Sequence, residues 1–364
     1  MDRSQHYLEL TPRHFQKKLF QNNPNLEIEE FEKGKFPSRP PKGVAPEMKI
    51  SLAVQVFNGG AYWQQCWASI IANIDLFENV FVSISESPHQ KKDIETVQKL
   101  SFPNVHLLVH DLCMSAVEHG SRFDEWVSSF QLSGHVFILC HDDILLREGL
   151  LALKKLNLSP EEAVLGPWQF FSDDGSIRPL IAKQFRKLNG KPLSSQEFGF
   201  MVDQQFYLLN VSGIVIPAEI FKSKRFPWHL CSFGCRSEYL HLCDPSIKYI
   251  HQLAIPAVKV RRHSASESAL MTEKANQFDT LLYLILAFKI YPLPWTRKFT
   301  LQSFCYMLKK SPRSGVKALL QAQINLWKKD FISSGEILHI WFGIGKAVCK
   351  KIFNRISSVF RKQE

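Results

Sequence analysis

The sequence predicts an α/β protein built on a mostly parallel sheet with helices on both faces, followed by a C-terminal helical extension. Three observations carry that expectation. Between residues 49 and 145, strand-like and helix-like patterns alternate four times, as successive strand-helix-strand crossovers require. The run Val136-Phe137-Ile138-Leu139-Cys140 is continuously apolar, which fits a strand covered on both faces rather than one half exposed to water. From Arg297 to Glu364 there are 14 Lys/Arg against three acids, which accounts for the whole net charge of +11; the preceding 296 residues balance at 31 of each sign.

Taken in order, residues 1–48 form a polar arm punctuated by Pro24, Pro37, Pro40, Pro41 and Pro46. Ile50, Leu52, Val54 and Val56 then alternate and stop at Phe57-Asn58-Gly59-Gly60, a strand running into a glycine turn. Trp63, Cys66, Trp67, Ile70, Ile71 and Ile74 recur at helical spacing, so the stretch from Ala61 to Ile74 reads as an amphipathic helix. A second strand is expected at Val80–Ile84, a helix around Ile94, Val97 and Leu100, a third strand at Val105–Val109 and a helix within Met114–Leu132. The fourth strand ends in His141-Asp142-Asp143, and a helix begins at Arg147. Beyond it come short strands at Ala163–Gly166 and Val211–Pro217, a short helix at Phe233–Cys243 and a strand over Ile255–Val260 that ends in Arg261-Arg262-His263.

Composition excludes several classes. With 364 residues and 45% hydrophobic content, the chain can bury a large core. No run reaches the ~18 uninterrupted apolar residues of a membrane span, and the N-terminus lacks the apolar stretch of a secretory leader, so a cytoplasmic protein is expected. The eight cysteines are scattered without a disulfide framework. Cys231, Cys235 and Cys243 with His229 and His241 fit no common zinc spacing, so they read as core thiols.

Asp142 and Asp143 carry the chemical expectation. Ligands of open α/β sheets bind at the carboxyl ends of the strands, where two adjacent carboxylates suit a divalent cation held against a phosphate. A plainer reading makes the pair an Asx-type turn capping the helix from Arg147.

Read together, the ordered motifs resemble the GT-A fold glycosyltransferases, in particular the large inverting family numbered 2. Those motifs are Phe57-Asn58-Gly59-Gly60, Ser85-Glu86-Ser87, His141-Asp142-Asp143, Ser212-Gly213-Ile214-Val215-Ile216-Pro217, Ser237-Glu238-Tyr239-Leu240 and His263-Ser264-Ala265-Ser266, and the resemblance spans about residues 49 to 268. It implies a GT-A, Rossmann-like domain over 49–275 between the arm and a basic tail at 276–364. It further implies a sugar moved from a nucleotide-sugar donor to a hydroxyl of a glycan or lipid-linked acceptor, with inversion, in the making of a cell-surface polysaccharide or glycolipid. Carried over, Asp143 ligates a divalent metal, Mg or Mn, with Asp142 as its partner, and His141 stands where the motif's first Asp often stands. Asn58 and Glu86 face the nucleoside, Glu86 in place of the usual Asp. Glu238 is the catalytic base, preceded by Ser237 rather than by a second acid. His263 contacts the metal or diphosphate, with Arg261 and Arg262 steadying the leaving phosphates.

Two other functions fit the same fold. A nucleotidyltransferase needs a basic, glycine-rich loop after the first strand, and Asn58-Gly59-Gly60-Ala61-Tyr62 has no basic residue. A non-catalytic GT-A-like protein accords with the departures at His141 and Ser237. In the tail, Ile337, Leu338, Ile340, Trp341, Ile344 and Val348 recur near helical spacing among lysines and arginines. That is the pattern of a helix lying on an anionic membrane, here the inner face, although the same face could pack on the catalytic domain. No nucleic-acid recognition motif accompanies the basic charge.

Overall fold

Strand β1 (Ile50–Val56) is an interior strand of the main sheet, and its position overrides its sequence alternation. Ser51 and Ala53 are as fully buried as Ile50, Leu52 and Val54, because an interior strand is covered on both faces. The computed structural model describes residues 48–114, 116–172, 177–180, 192–195, 211–223, 241, 242, 244, 246–263, 312–328 and 332–346.

After β1 the chain runs through α1 (Gly60–Ile71), β2 (Asn79–Ile84), α2 (Gln90–Gln98), β3 (Val105–Val109), α3 (Ala116–Ser128) and β4 (His135–Cys140). Strands β3, β2, β1 and β4 are neighbours in that order and all parallel, so their carboxyl ends, and the loops that follow them, share one edge. The spacing of α1 does what it predicts: Trp63, Cys66, Trp67, Ile70 and Ile71 are buried against the sheet.

The chain then leaves the first sheet. The two-residue strand β5 (Ile144–Leu145) starts a second, four-stranded sheet, followed by α4 (Arg147–Lys155), β6 (Glu162–Leu165), β7 (Trp168–Ser172), β8 (Ile177–Leu180), β9 (Ile214–Pro217), α5 (Ala218–Ser223), β10 (Tyr249–His251) and β11 (Val258–Arg262). β9 is wedged antiparallel between β4 and β6, and β10 completes the seven-stranded sheet in parallel with β6. The smaller sheet runs β5-β11-β7-β8, with β11 antiparallel to β5 and parallel to β7. Asp142 and Asp143 therefore lie at the corner between β4 of one sheet and β5 of the other. The helix expected at Phe233–Cys243 is described only at His241 and Leu242, and the boundaries expected near 48 and 275 fall beside or within residues not described.

Near the C-terminus, α6 (Pro312–Lys328) and α7 (334–346) pack together. Leu319, Ala322, Ile332, Ile340 and Ile344 join the same continuous cluster of buried side chains as the sheets, and Trp341 Nε1 donates to Gln323 Oε1 at 2.8 Å. Ser333 and Glu336 close α7 reciprocally: the Ser333 hydroxyl accepts from the Glu336 N–H at 3.2 Å, and Glu336 Oε2 accepts from the Ser333 N–H at 2.7 Å. Among the described residues no helix is long and apolar enough to cross a membrane.

Candidate functional site

The carboxylate pair does not cap α4. Leu146 occupies the cap position without a side-chain hydrogen bond, and both aspartates are engaged elsewhere. Asp143 is buried to 2% exposure. Its Oδ2 accepts from the Ser212 hydroxyl at 2.5 Å, and its Oδ1 accepts from the Arg261 backbone N–H at 2.8 Å. The same Ser212 hydroxyl accepts from the Cys140 N–H at 2.8 Å, so one side chain ties the end of β4 to the start of β9. Burial and then the neighbouring Asp142 charge push the Asp143 carboxyl well above the usual range, against the opposing pull of Ser212 and Arg261.

Asp142 is placed differently. Its Oδ2 lies 2.9 Å from His263 Nε2, and its backbone carbonyl accepts from Arg261 Nε at 3.0 Å. Burial raises this carboxyl, but the His263 hydrogen bond and the neighbouring imidazoles of His141 and His263 outweigh it and hold Asp142 below the usual range. The outcome is an ionised, partly accessible Asp142 beside a buried Asp143 whose proton is held more tightly.

Strand β11 assembles this site. Arg261 faces the carboxylates, its guanidinium lying between the rings of Tyr62 at 4.5 Å and Phe171 at 4.4 Å and donating to Gln65 Oε1 at 2.5 Å. Two elements remote in sequence, α1 and β7, thus hold one cation in a single orientation. Because side chains alternate along a strand, Arg262 leaves from the other face, where its guanidinium covers Phe170 at 4.3 Å. His263 packs on the Tyr62 ring with centroids 4.6 Å apart, and its Nδ1 is buried without a hydrogen-bond partner.

The glycine turn after β1 is held from α2. Asp93 accepts from the Gly59 N–H at 3.1 Å and the Gly60 N–H at 3.0 Å, and its carbonyl accepts from Trp63 Nε1 at 3.2 Å. Asn58 adopts φ 52° and Gly60 φ 53°, left-handed positions that place Asn58 in the solvent-exposed corner of the turn. Glu86, also exposed, follows β2 on the same edge.

The structure thus brings together Asp142, Asp143, Arg261 and His263, sets Asn58 and Glu86 on the same sheet edge, and turns Arg262 to the opposite face of β11. Glu238 lies outside the described residues. Sequence reasoning missed the supports: Tyr62, Gln65 and Asp93 sit in helices with no motif of their own. It also missed a polar chain at the ends of β2 and β3, where the Ser83 hydroxyl lies 2.7 Å from His119 Nε2 and 2.9 Å from His110 Nε2. Burial, then the neighbouring His110 and His141, push the His119 imidazole down to about 3, so it is neutral at ordinary pH. The only signal for this chain was a serine inside an otherwise apolar strand.

A divalent cation fits the donors present. Asp142 Oδ2 and His263 Nε2 are 2.9 Å apart, close to the spacing of about 3 Å between adjacent ligands each about 2.1 Å from one ion. Donor atoms of Cys140, Asp142 and Asp143 also lie within 4.8 Å of one another.

No family model matches the sequence, and no curated protein matches it. Solved structures do resemble it. S. aureus TarS 1-349 superposes with a TM-score of 0.51 at 12% identity, covering 74% of each chain. Another S. aureus TarS structure gives 0.49 at 12% identity, over 72% of this chain and 44% of that one. GalNAc-T7 with UDP, GalNAc and Mn2+ gives 0.44 at 11% identity, over 69% of this chain and 52% of that one. With its parallel core, its second small sheet and its carboxylate pair at the junction, the chain has the GT-A type of fold.

Proposed function

We propose that the protein is a glycosyltransferase that moves a sugar from a nucleotide-sugar donor to a hydroxyl of a glycan or lipid-linked acceptor, with inversion at the anomeric carbon. The observation that carries this reading is the delivery of Arg261 and His263 by β11 onto Asp142 and Asp143, at the sheet edge that also presents Asn58 and Glu86. A buried carboxylate beside a half-buried one, both held by a fixed arginine, is costly to fold unless it serves a charged ligand. The nucleotidyltransferase alternative lacks a basic residue in the glycine turn.

In this reading Asn58 and Glu86 receive the nucleoside, and Arg261, fixed between two rings, sets a positive charge beside the diphosphate. Asp142 and His263 hold a divalent cation, Mg or Mn, with Asp143 anchoring the corner through Ser212 and Arg261. The sequence makes Asp143 the expected ligand; its deeper burial and its hydrogen bonds to Ser212 and Arg261 suit it to anchoring, and the more accessible Asp142 to meeting the ion. The cation, when bound, neutralises charge on the leaving diphosphate. Glu238 takes the proton of the acceptor hydroxyl as its oxygen bonds to the anomeric carbon and the bond to the phosphate oxygen breaks, the electron pair leaving with the nucleoside diphosphate. Arg262, stacked on Phe170, is better suited to shaping β11 than to touching phosphate.

The test is a panel of nucleotide sugars incubated with the protein and Mn2+, scored by release of nucleoside diphosphate. One donor should be consumed, and Glu238→Gln should bind it without turnover. Release from no donor, or turnover unchanged in Glu238→Gln, contradicts the reading.

A second proposal concerns membrane association, with the contact face drawn from the helix pair. Ile340 and Ile344 face the core, so the outward residues are Val316, Leu320, Ile324 and Trp327 on α6, with Leu338 (69% exposed) and Phe342 (74% exposed) on α7. Lys317 and Lys328 border the α6 stripe at helical spacing, and the residues from 297 onward carry the chain's excess positive charge. This favours an anionic lipid surface as the partner. The intact chain should float with anionic vesicles at low salt and release at high salt; no flotation contradicts it.

A further inference from the structure

We infer that Cys140 is a ligand of the cation site, so that the site prefers thiophilic divalent ions such as Zn2+, Cd2+ or Co2+ over Mg2+. The inference rests on the proposed cation role of Asp142 and His263 and deepens it.

Cys140 is the last residue of β4, and its backbone is fixed from two sides. Its N–H donates to the Ser212 hydroxyl at 2.8 Å, and its carbonyl lies 3.7 Å from Cys66 Sγ. It alternates with the buried Leu139 and is itself half-buried rather than sealed in the core. Its Sγ and the carboxylate oxygens of Asp142 and Asp143 lie within 4.8 Å of one another, and His263 Nε2 is 2.9 Å from Asp142 Oδ2. Sulfur and carboxylate oxygen therefore meet at one corner, and the His263 imidazole reaches it through Asp142. Among the described residues, Cys66 is sealed inside α1 on the β4 side of the corner, and Cys113 is exposed.

The donor set decides the preference. Mg2+ takes hard oxygen ligands in a near-octahedral shell, whereas a mixed sulfur, nitrogen and oxygen set suits Zn2+, Co2+ and Cd2+. A Zn–S bond is about 2.3 Å against about 2.0 Å to nitrogen or oxygen, so a sulfur somewhat farther out than the oxygens is within reach of small side-chain rotations. On binding, a sulfur–cation bond forms and the thiol proton passes to solvent; nothing is oxidised or reduced.

Cobalt distinguishes the possibilities, because Co2+ gives visible bands on any binding and an intense near-ultraviolet charge-transfer band only when a thiolate is a ligand. The full chain titrated with Co2+ alone should show both. Cys140→Ser should keep the visible bands and lose the charge-transfer band, with the preference for Cd2+ over Mg2+ falling on the order of 10–100-fold, and Cys140→Asp should move the preference further toward Mg2+. Cys113→Ser should change neither. Co2+ bound without a charge-transfer band, or a band that survives in Cys140→Ser, overturns the role of Cys140 while leaving the cation site in place. Absence of Co2+ binding, with Asp142→Asn behaving like the unaltered chain, overturns the cation reading itself and Cys140 with it.

Discussion

The carboxylate corner and the C-terminal helix pair break the usual partition of residues in opposite directions. At the corner, charged groups are buried: Asp143 and Arg261 are 2% and 3% exposed, and every carboxylate oxygen of Asp143 is answered by a hydrogen-bond donor. On the outer faces of α6 and α7, large apolar groups are exposed, with Trp327 at 50%, Leu338 at 69% and Phe342 at 74%. The first arrangement is costly unless the groups are paired, and here pairing reaches across both sheets. Among the described residues the second has no such internal answer, which directs attention to a surface beyond them. A buried polar site tells of a small charged ligand, and an exposed apolar stripe bordered by lysines tells of an extended one.

Breaking the corner should have the largest effect. Asp142→Ala is expected to abolish cation-dependent nucleotide binding and transfer, a loss of at least 100-fold on the order seen when a metal-held charge is removed, with little change in melting temperature. Calorimetry with a nucleoside diphosphate and Mn2+ would measure it, and unchanged binding would detach Asp142 from the cation. Removing the apolar stripe should act on location alone: Leu338→Glu with Phe342→Glu should weaken vesicle flotation several-fold while leaving donor consumption in solution unchanged.

A smaller effect sharpens the electrostatic side of the contrast. Ser212→Ala deprives Asp143 of one donor in a buried site, so unfolding should become easier by about 1–3 kcal/mol, measured by denaturant titration. The effect of pH follows from His119. In the unfolded chain its imidazole takes a proton below the ordinary value of 6.5, whereas in the folded chain it stays neutral down to about 3. The unfolded state therefore binds more protons in that window, and stability should fall as pH drops from 6.5 toward 3, by at most about 1.4 kcal/mol per pH unit. His119→Gln should flatten that slope; an unchanged slope would assign it to other groups.

How much of this was legible in the sequence depends on the range of the contacts involved. Strands β1 to β4 and helix α1 were read nearly to their ends, since each is specified by a local period. The second sheet was not, because β5 has two residues and its partner β11 lies more than a hundred positions onward. The same holds within the site. Asp142 and Asp143 announce themselves by following an apolar run, yet their unequal roles depend on Ser212, 69 positions away, and on Arg261, 118 positions away. Arg261 and Arg262 are indistinguishable as adjacent letters, and only the pleat of β11 sends one to the carboxylates and the other to Phe170. In the tail, the helical period was visible, but which side met the core was not, so Ile340 and Ile344 were grouped with Leu338.

The central claim is that Asp142 and His263 hold a cation against a nucleotide diphosphate. Its most direct test is the thermal stability of the full chain and of Asp142→Ala with a nucleoside diphosphate alone, Mn2+ alone and the two together, because a ligand bound only by the folded state raises the melting temperature. The account predicts a rise of several degrees for the unaltered chain when both are present, much less with either alone, and none for Asp142→Ala. An equal rise without Mn2+, or the same rise in Asp142→Ala, would contradict it.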